Sequence, residues 1–367
     1  MRILAWSSSY WPALGGGPVL GAALLPALAA RGHEIAVVTD RRPDGLPERE
    51  ERDGIAIHRL PFRRALGGEL AAVPALRRRV AALKQALRPQ LVHLWAPGYS
   101  ELFHHETEAA HPAPLLVTLH RFYPAAACRP DGAIGRSLRA AAAVTACSRA
   151  VLDAMLDAGP EIAGRAAVLL NALPAPLGPP VPPPAGPPGL LGLGMMVPHK
   201  GFDLALDAVQ RLRTGRPGLT LTLAGDGEAL PALRLRAAGL GLGDAVRFAG
   251  PVEPAAVPAL IRAASLVLMP SRIEPFGLVA LEAAQAGRPV VAAAVGGLPE
   301  VVRDGVTGLL VPPGDAAALA QATAALLDDP GRAARLGAAA RADAAARFAW
   351  RPFVDAYDAL YRRLARP

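Results

Sequence analysis

The chain has 367 residues, 52% of them hydrophobic, enough to fill a core, to suggest two domains and to exclude a disordered chain. Its formal charge is +8, carried almost wholly by arginine, since Lys84 and Lys200 are the only two lysines. Two cysteines, Cys128 and Cys147, exclude a disulfide scaffold and a cysteine zinc site, which suits a reducing compartment.

Residues 3–30 carry no charge, but serines at 7–9 and glycines at 15–17 interrupt the apolar run. Neither a signal peptide nor a membrane span is therefore expected, and the reading is a cytoplasmic protein. The segment reads as a strand at 3–6, a glycine loop, and a helix at 19–30 kinked by Pro26. Apolar β-type runs at 35–39, 55–58, 91–95, 115–119 and 144–147 alternate with helical runs, which predicts a parallel sheet covered on both faces.

Residues 59–88 hold Arg59, Arg63, Arg64, Arg77, Arg78, Arg79, Lys84 and Arg88 against Glu69, with Leu70, Val73, Leu76, Val80, Leu83 and Leu87 at helical spacing. The favoured reading is a helix packed on the sheet with a solvated basic face. The second is peripheral contact with an anionic membrane. No aromatics interleave with this charge, so nucleic acid is not an expected partner. His104, His105 and His111 with Glu106 and Glu108 read as a polar helix rather than a metal set.

Nine of the fifteen residues at 174–188 are proline, which predicts a stiff linker; a ligand for a proline-binding module is the lesser alternative. Strand-type runs then resume at 190–193, 219–223, 246–248, 266–269, 290–293 and 308–311. The predicted organisation is a doubly wound α/β domain at 1–173, the linker, a second such domain at 189–349, and a helix at 350–367 returning to the first. Ligands of such sheets bind outside the carboxyl ends of the strands, so the cleft between the halves is the expected site.

Lys200 ends a loop, from Gly194 to Gly201, that leads into a helix beginning near Phe202. A strand, a glycine-bearing loop and a helix start make an anion site, to which Lys200 adds charge. Residues 223–228, with Gly225 and Gly227, repeat that pattern more weakly. Gly16 and Gly17 either let a ligand approach the backbone or form a plain loop. Glu274 and Glu282 stand eight residues apart, with Pro275 and Gly277 placing a helix start between them. Glu274 is then a loop acid and Glu282 a helix acid, with the amides of Phe276, Gly277 and Leu278 open to an anion. On spacing alone, a capping carboxylate and a surface acid would explain the pair.

The stretch Ser-Arg-Ile-Glu-Pro-Phe-Gly-Leu-Val-Ala-Leu-Glu at 271–282, with the glycine-rich segments 296–300 and 304–315, resembles the retaining GT-B glycosyltransferases of family 4. Looser likeness at 1–7, 15–17, 31–39, 117–120, 147–149 and 170–171 extends over nearly the whole chain. The resemblance implies two Rossmann-like domains and a nucleotide-diphosphate sugar as donor, with no metal or other cofactor. The sugar would pass to a glycan, lipid-linked or small-molecule hydroxyl. It implies that Glu274 meets the donor sugar, Glu282 holds the ribose, and Lys200 with the Phe276, Gly277 and Leu278 backbone binds the diphosphate. It further implies that His120 lies at the sugar, that Gly16 and Gly17 line the phosphate and acceptor side, and that Gly250 and Val252 flank the base. The family's usual arginine before the lysine is here Met195, for which Arg272 is the candidate substitute. Asn171-Ala172 and Arg121 are lesser departures on the acceptor side. The alternatives to transfer are a GT-B epimerase or phosphorylase, or a weakened nucleotide-sugar-binding protein.

Overall fold

The computed structural model describes residues 1–13, 15–129, 131–174 and 186–365, so most of the expected proline linker lies outside the described residues. The chain divides into two compact units, Met1–Leu170 with Arg351–Pro367, and Asn171–Trp350.

Unit 1 is built on an eight-stranded sheet of β1 (Arg2–Ser7), β2 (Glu34–Asp40), β3 (Arg49–Arg52), β4 (Ile55–Leu60), β5 (Leu91–Trp95), β6 (Leu115–Leu119), β7 (Ala143–Ala146) and β8 (Ala166–Val168). The order is β3-β4-β2-β1-β5-β6-β7-β8, parallel except for β3, which runs antiparallel to β4. Strands β5, β6 and β7 are buried at every position, as continuous apolar runs under two helical layers require. The sequence reading lacks β3 and β8. Strand β3 is Arg-Glu-Glu-Arg, a charged edge with no apolar signal, and its polarity protects the sheet edge.

The helix Val73–Leu87 packs Leu76, Val80 and Lys84 inward. Its outer face is basic and solvated, with Arg77, Arg78 and Arg79 exposed. Arg59 is buried and pairs with Glu50 at 2.7 Å, Arg77 with Glu106 at 2.6 Å, Arg79 with Glu48 at 2.8 Å and Arg64 with Glu69 at 2.6 Å. Lys84 is fully buried and donates to the His104 carbonyl at 2.8 Å; burial lowers its pKa to about 8. Acids outside the stretch, Glu48, Glu50 and Glu106, thus meet three of its eight basic residues, while Arg63, Arg78 and Arg88 stay exposed.

A buried polar chain crosses the sheet. His93 bonds Tyr361 through Nδ1 at 2.6 Å and Thr118 through Nε2 at 2.7 Å, and Thr118 bonds Thr145 at 2.7 Å. Tyr361 belongs to the helix Trp350–Leu364, which is further held by Asp358 to His33 at 2.7 Å and by Asp355 to Arg31 at 2.5 Å. Burial holds His93 and His120 down to about 3, and His33, His58, His104 and His105 are lowered mainly for the same reason. An unfolded histidine takes up a proton below about 6.5, so between 6.5 and 3 the unfolded chain binds more protons. Stability therefore rises with pH in that window and is lost as pH falls through it. Glu101 and Glu282, both lifted to about 7 by burial, act in the opposite sense but are outnumbered. Thermal unfolding is expected to show a lower Tm at pH 5 than at pH 7; an equal or higher Tm at pH 5 would contradict this.

Unit 2 holds a six-stranded, wholly parallel sheet of β9 (Gly189–Leu193), β10 (Thr220–Ala224), β11 (Val246–Gly250), β12 (Leu266–Met269), β13 (Val290–Ala293) and β14 (Gly308–Val311), ordered β11-β10-β9-β12-β13-β14. The chain winds outward from β9 to β11, then crosses back to lay β12 against the other side of β9. The helix Phe202–Arg213 seals one face with Phe202, Ala205, Leu206, Val209 and Leu212, packed on Leu190, Leu221 and Leu223. Among the described residues, no helix is long and apolar enough to cross a membrane.

Candidate active site

The order of winding reverses between β9 and β12, and in open α/β sheets ligands bind outside the carboxyl ends at such a switch point. The loop after β9 carries Lys200, and the loop after β12 carries Glu274. The structure brings these two side chains together: Lys200 Nζ donates to Glu274 Oε2 at 2.6 Å. Their side chains are 18% and 8% exposed. Ser271 Oγ adds a longer bond to the same oxygen at 3.4 Å.

Glycine chemistry allows the approach. Gly201 adopts φ +67°, and a Cβ there would lie 2.0 Å from the Pro270 carbonyl oxygen. The loops are also joined directly, because the His199 carbonyl accepts from the Arg272 amide at 2.7 Å and more weakly from the Ile273 amide at 3.3 Å. Gly225 supports the first loop from β10: its φ is +138°, and a Cβ would fall 1.8 Å from the Gly194 oxygen. The weak 223–228 pattern is thus explained by packing.

Gly277, at φ +103°, turns the chain into the helix Leu278–Gln285. Gly297 lies against Pro275 and Phe276 and donates its amide to the Glu274 carbonyl at 2.9 Å, fixing the loop. The Phe276 ring is buried, so only its backbone is presented. Among the described residues, the amides of Phe276, Gly277 and Leu278 find no acceptor, as the start of a helix leaves them. Glu282 is half-buried on this helix, and burial lifts its carboxyl to about 7. Gly250, at φ +74°, ends β11 and accepts from the Gly225 amide at 2.7 Å, and Val252 follows half-buried.

Arg272 does not replace the arginine missing at Met195. Its guanidinium grips Asp203 in a fork, at 2.8 and 2.6 Å, and donates to the Pro198 carbonyl at 2.9 Å. Met195 is 51% exposed. The charge at this site is therefore that of Lys200, held against Glu274.

In unit 1 the corresponding reversal falls between β1 and β5. Trp95, ending β5, donates its indole N–H to the Gly17 carbonyl at 2.9 Å, and its ring lies 4.1 Å from that of His120. One tryptophan thus gathers two of the expected residues. His120 Nε2 is buried without a partner among the described residues, and burial keeps the ring neutral, with a pKa of about 3. Gly16 and Gly17 open the helix Gly16–Ala29; a Cβ on Gly17 would meet nothing, so packing within the chain does not demand glycine there.

Sequence reasoning missed Glu101, which sits fully buried after the same β5 loop. Its Oε2 accepts from the Gly98 amide at 2.7 Å, while Oε1 has no partner among the described residues. A lone acid opening the short helix Glu101–Glu106 gave no signal of this. His104, His105 and His111 do not converge: Nε2 of His105 bonds Ser137 Oγ, Nε2 of His111 bonds the Pro89 carbonyl, and His104 is buried near Trp6.

These two switch-point sites lie on a chain with clear relatives. The sequence model of the glycosyl transferases group 1 matches residues 180–343, and that of glycosyltransferase family 4 matches residues 14–173. A glycogen synthase from Mycobacterium tuberculosis is 33% identical, across 98% of this chain and 94% of its own. The chain is a GT-B glycosyltransferase of family 4.

Further likenesses of this glycosyltransferase are partial or more distant. A D-inositol 3-phosphate glycosyltransferase from Streptomyces scabiei is 46% identical, but over 43% of this chain and 37% of its own length. The sucrose-phosphate synthase of Thermosynechococcus elongatus superposes with a TM-score of 0.81 at 25% identity, over 99% of both chains. Anabaena HepE, solved with UDP and glucose, superposes at 0.80 with 24% identity, over 99% of this chain and 100% of that one.

Proposed function

We propose that the protein moves a hexosyl group from a nucleotide-diphosphate sugar to an acceptor hydroxyl, with retention of configuration and without a metal. The observation that carries this reading is the Lys200–Glu274 pair at the unit 2 switch point, next to the open amides of Phe276, Gly277 and Leu278. Breaking a glycosyl–phosphate bond builds positive charge on the sugar and negative charge on the departing diphosphate. Fixed donors aimed at the growing negative charge lower the barrier. In this reading Lys200 leaves Glu274 for the diphosphate, and the amides and helix dipole add to it. Glu274, released, accepts from the sugar hydroxyls.

The acceptor attacks from the face the diphosphate leaves, and its hydroxyl proton passes to the departing phosphate oxygen. Glu274 is not a nucleophile in this scheme. His120 is neutral and offers its unpaired Nε2 to a sugar hydroxyl, while Gly16 and Gly17 let the ligand reach the backbone. Gly250 and Val252 flank the base.

Glu282 takes the ribose. A carboxylate accepts from both ribose hydroxyls, whereas the protonated form does so poorly. With its pKa near 7, nucleotide affinity is expected to rise about tenfold from pH 6 to pH 8, following the ionised fraction. Calorimetric titration at the two pH values checks this, and Glu282→Gln is expected to remove the dependence.

The functional test is release of nucleoside diphosphate from a panel of UDP-, GDP- and ADP-sugars over an acceptor panel, compared with Glu274→Ala and repeated in EDTA. Turnover by the native chain alone, unchanged in EDTA, supports the reading. Met195 and the capture of Arg272 by Asp203 favour one second reading, a weakened nucleotide-sugar-binding protein. Tight nucleotide binding with no release over the whole panel would select it.

A further inference from the structure

A cavity of about 600 Å³ opens in unit 1 at the carboxyl ends of β2 and β4, between Asp40 and Asp44 on one side and Pro61 and Glu69 on the other. Four arginines line it, namely Arg41, Arg42, Arg63 and Arg64. Two are committed elsewhere: Arg64 grips Glu69 Oε1 at 3.0 and 2.6 Å and feels Asp44, while Arg41 donates to the Leu46 carbonyl at 2.8 Å and pairs with Glu48. The Asp40 carboxylate is also occupied, by the Arg63 amide at 3.1 Å and by the Tyr99 hydroxyl at 2.7 Å. The side chains of Arg42 and Arg63 have no partner among the described residues, and the charges of both reach Tyr99.

Asp40, Asp44 and Glu69 also line the cavity, but two guanidinium groups at its rim that make no ion pair among the described residues leave their N–H donors open to a doubly charged oxyanion, which each can grip through parallel N–H donors. The position adds to this. Strands β4, β2, β1, β5 and β6 lie side by side in that order, so the middle of the cavity stands about two strand spacings, ~10 Å, from the β1–β5 switch point and between three and four, ~17 Å, from the end of β6 that carries His120. Tyr99, from the loop after β5, ties the two places together through Asp40.

We propose that this cavity binds the phosphate group of the acceptor, so that the glycosyltransferase acts on a phosphorylated acceptor; this rests on the reading of unit 1 as the acceptor side. The phosphate anchors in the Arg42–Arg63 pair, while the rest of the acceptor extends along the strand ends toward the Gly16–Gly17 loop and His120. The same chemistry serves a soluble sugar or polyol phosphate and a phosphate-bearing lipid headgroup.

The test titrates the full chain calorimetrically with inorganic phosphate, glycerol 3-phosphate, glycerol, and UDP, GDP and ADP, in native form and as Arg42→Gln/Arg63→Gln. A parallel flotation compares vesicles containing phosphatidic acid, whose phosphate is a monoester, with vesicles of equal surface charge containing phosphatidylglycerol, a diester. The expected result is saturable binding of the phosphates but not of glycerol, weakened at least tenfold in the double variant and by added salt. Binding of whichever nucleoside diphosphate the chain takes is expected to be equal in both proteins, which establishes that the variant is folded and separates this cavity from the Lys200 seat. Selective flotation with phosphatidic acid, lost in the double variant, supports the same site with a headgroup as its source. Absence of both phosphate and vesicle binding, or unchanged binding in the double variant, overturns the proposal. Absence of binding of UDP, GDP and ADP alike counts against the donor reading and leaves the phosphate result standing.

Discussion

Replacing Lys200 by alanine is expected to lower kcat by ~10²- to 10³-fold, the usual cost of losing one fixed donor to a developing oxyanion. The effect is large because of the charge inventory. Met195 offers no charge where the family resemblance implies an arginine, and Arg272 is bound to Asp203. The open amides of the helix Leu278–Gln285 remain, so some turnover survives. Lys200→Ala also strands a buried carboxylate, because Ser271 at 3.4 Å is then the remaining contact of Glu274 Oε2. Removing one partner of a buried pair costs up to about 3–5 kcal/mol, and less where the partner is partly exposed, as Lys200 is. A Tm measured beside kcat separates the two effects: Glu274→Gln keeps the shape and removes the stranded charge, so it is expected to lose turnover with a smaller loss of Tm. A Lys200→Ala protein with unchanged kcat would contradict this account of the site.

The second large effect is expected at Gly201. Alanine there meets the Pro270 carbonyl at 2.0 Å while held at a left-handed φ of +67°. The left-handed backbone costs about 1–2 kcal/mol and the overpacking about 1–3 kcal/mol more. Because the listener to this clash is backbone, the loop pair must separate, which breaks the bonds from Arg272 and Ile273 to the His199 carbonyl and moves Lys200 away from Glu274. Gly201→Ala is therefore expected to lose about 2–5 kcal/mol in denaturant unfolding and nearly all turnover. Gly215→Ala, whose Cβ meets nothing, is the control and is expected to lose neither. An active, stable Gly201→Ala protein would sink the argument that this close approach builds the site.

The regular parts of the fold were legible because buried parallel strands write themselves as apolar runs: β5 and β6 are read from the sequence with the bounds they have in the structure. Strand β3 was not legible, because a charged edge strand has no such pattern. The basic stretch at 59–88 was legible as a packed helix with an exposed basic face, but not its ion pairs. Local charge counting does not see Glu48, Glu50 and Glu106, which pair with three of its arginines from elsewhere in the chain. The engagement of Arg272 by Asp203 was hidden in the same way.

At the site, the motif order identified Lys200 and Glu274 separately. Their meeting at 2.6 Å depends on the strand order that sets β9 beside β12, a non-local fact. Trp95, which links Gly17 to His120, read only as the end of a strand.

The measurement that tests the central claim most directly is calorimetric titration of the native chain and of Lys200→Ala with UDP, GDP, ADP and the corresponding nucleosides. The account predicts that one of the diphosphates binds the native chain saturably, that Lys200→Ala weakens it at least tenfold, and that the nucleosides are indifferent to the substitution. No binding of any diphosphate, or equal affinity in the two proteins, would contradict the assignment of the Lys200–Glu274 site to a nucleotide-diphosphate sugar.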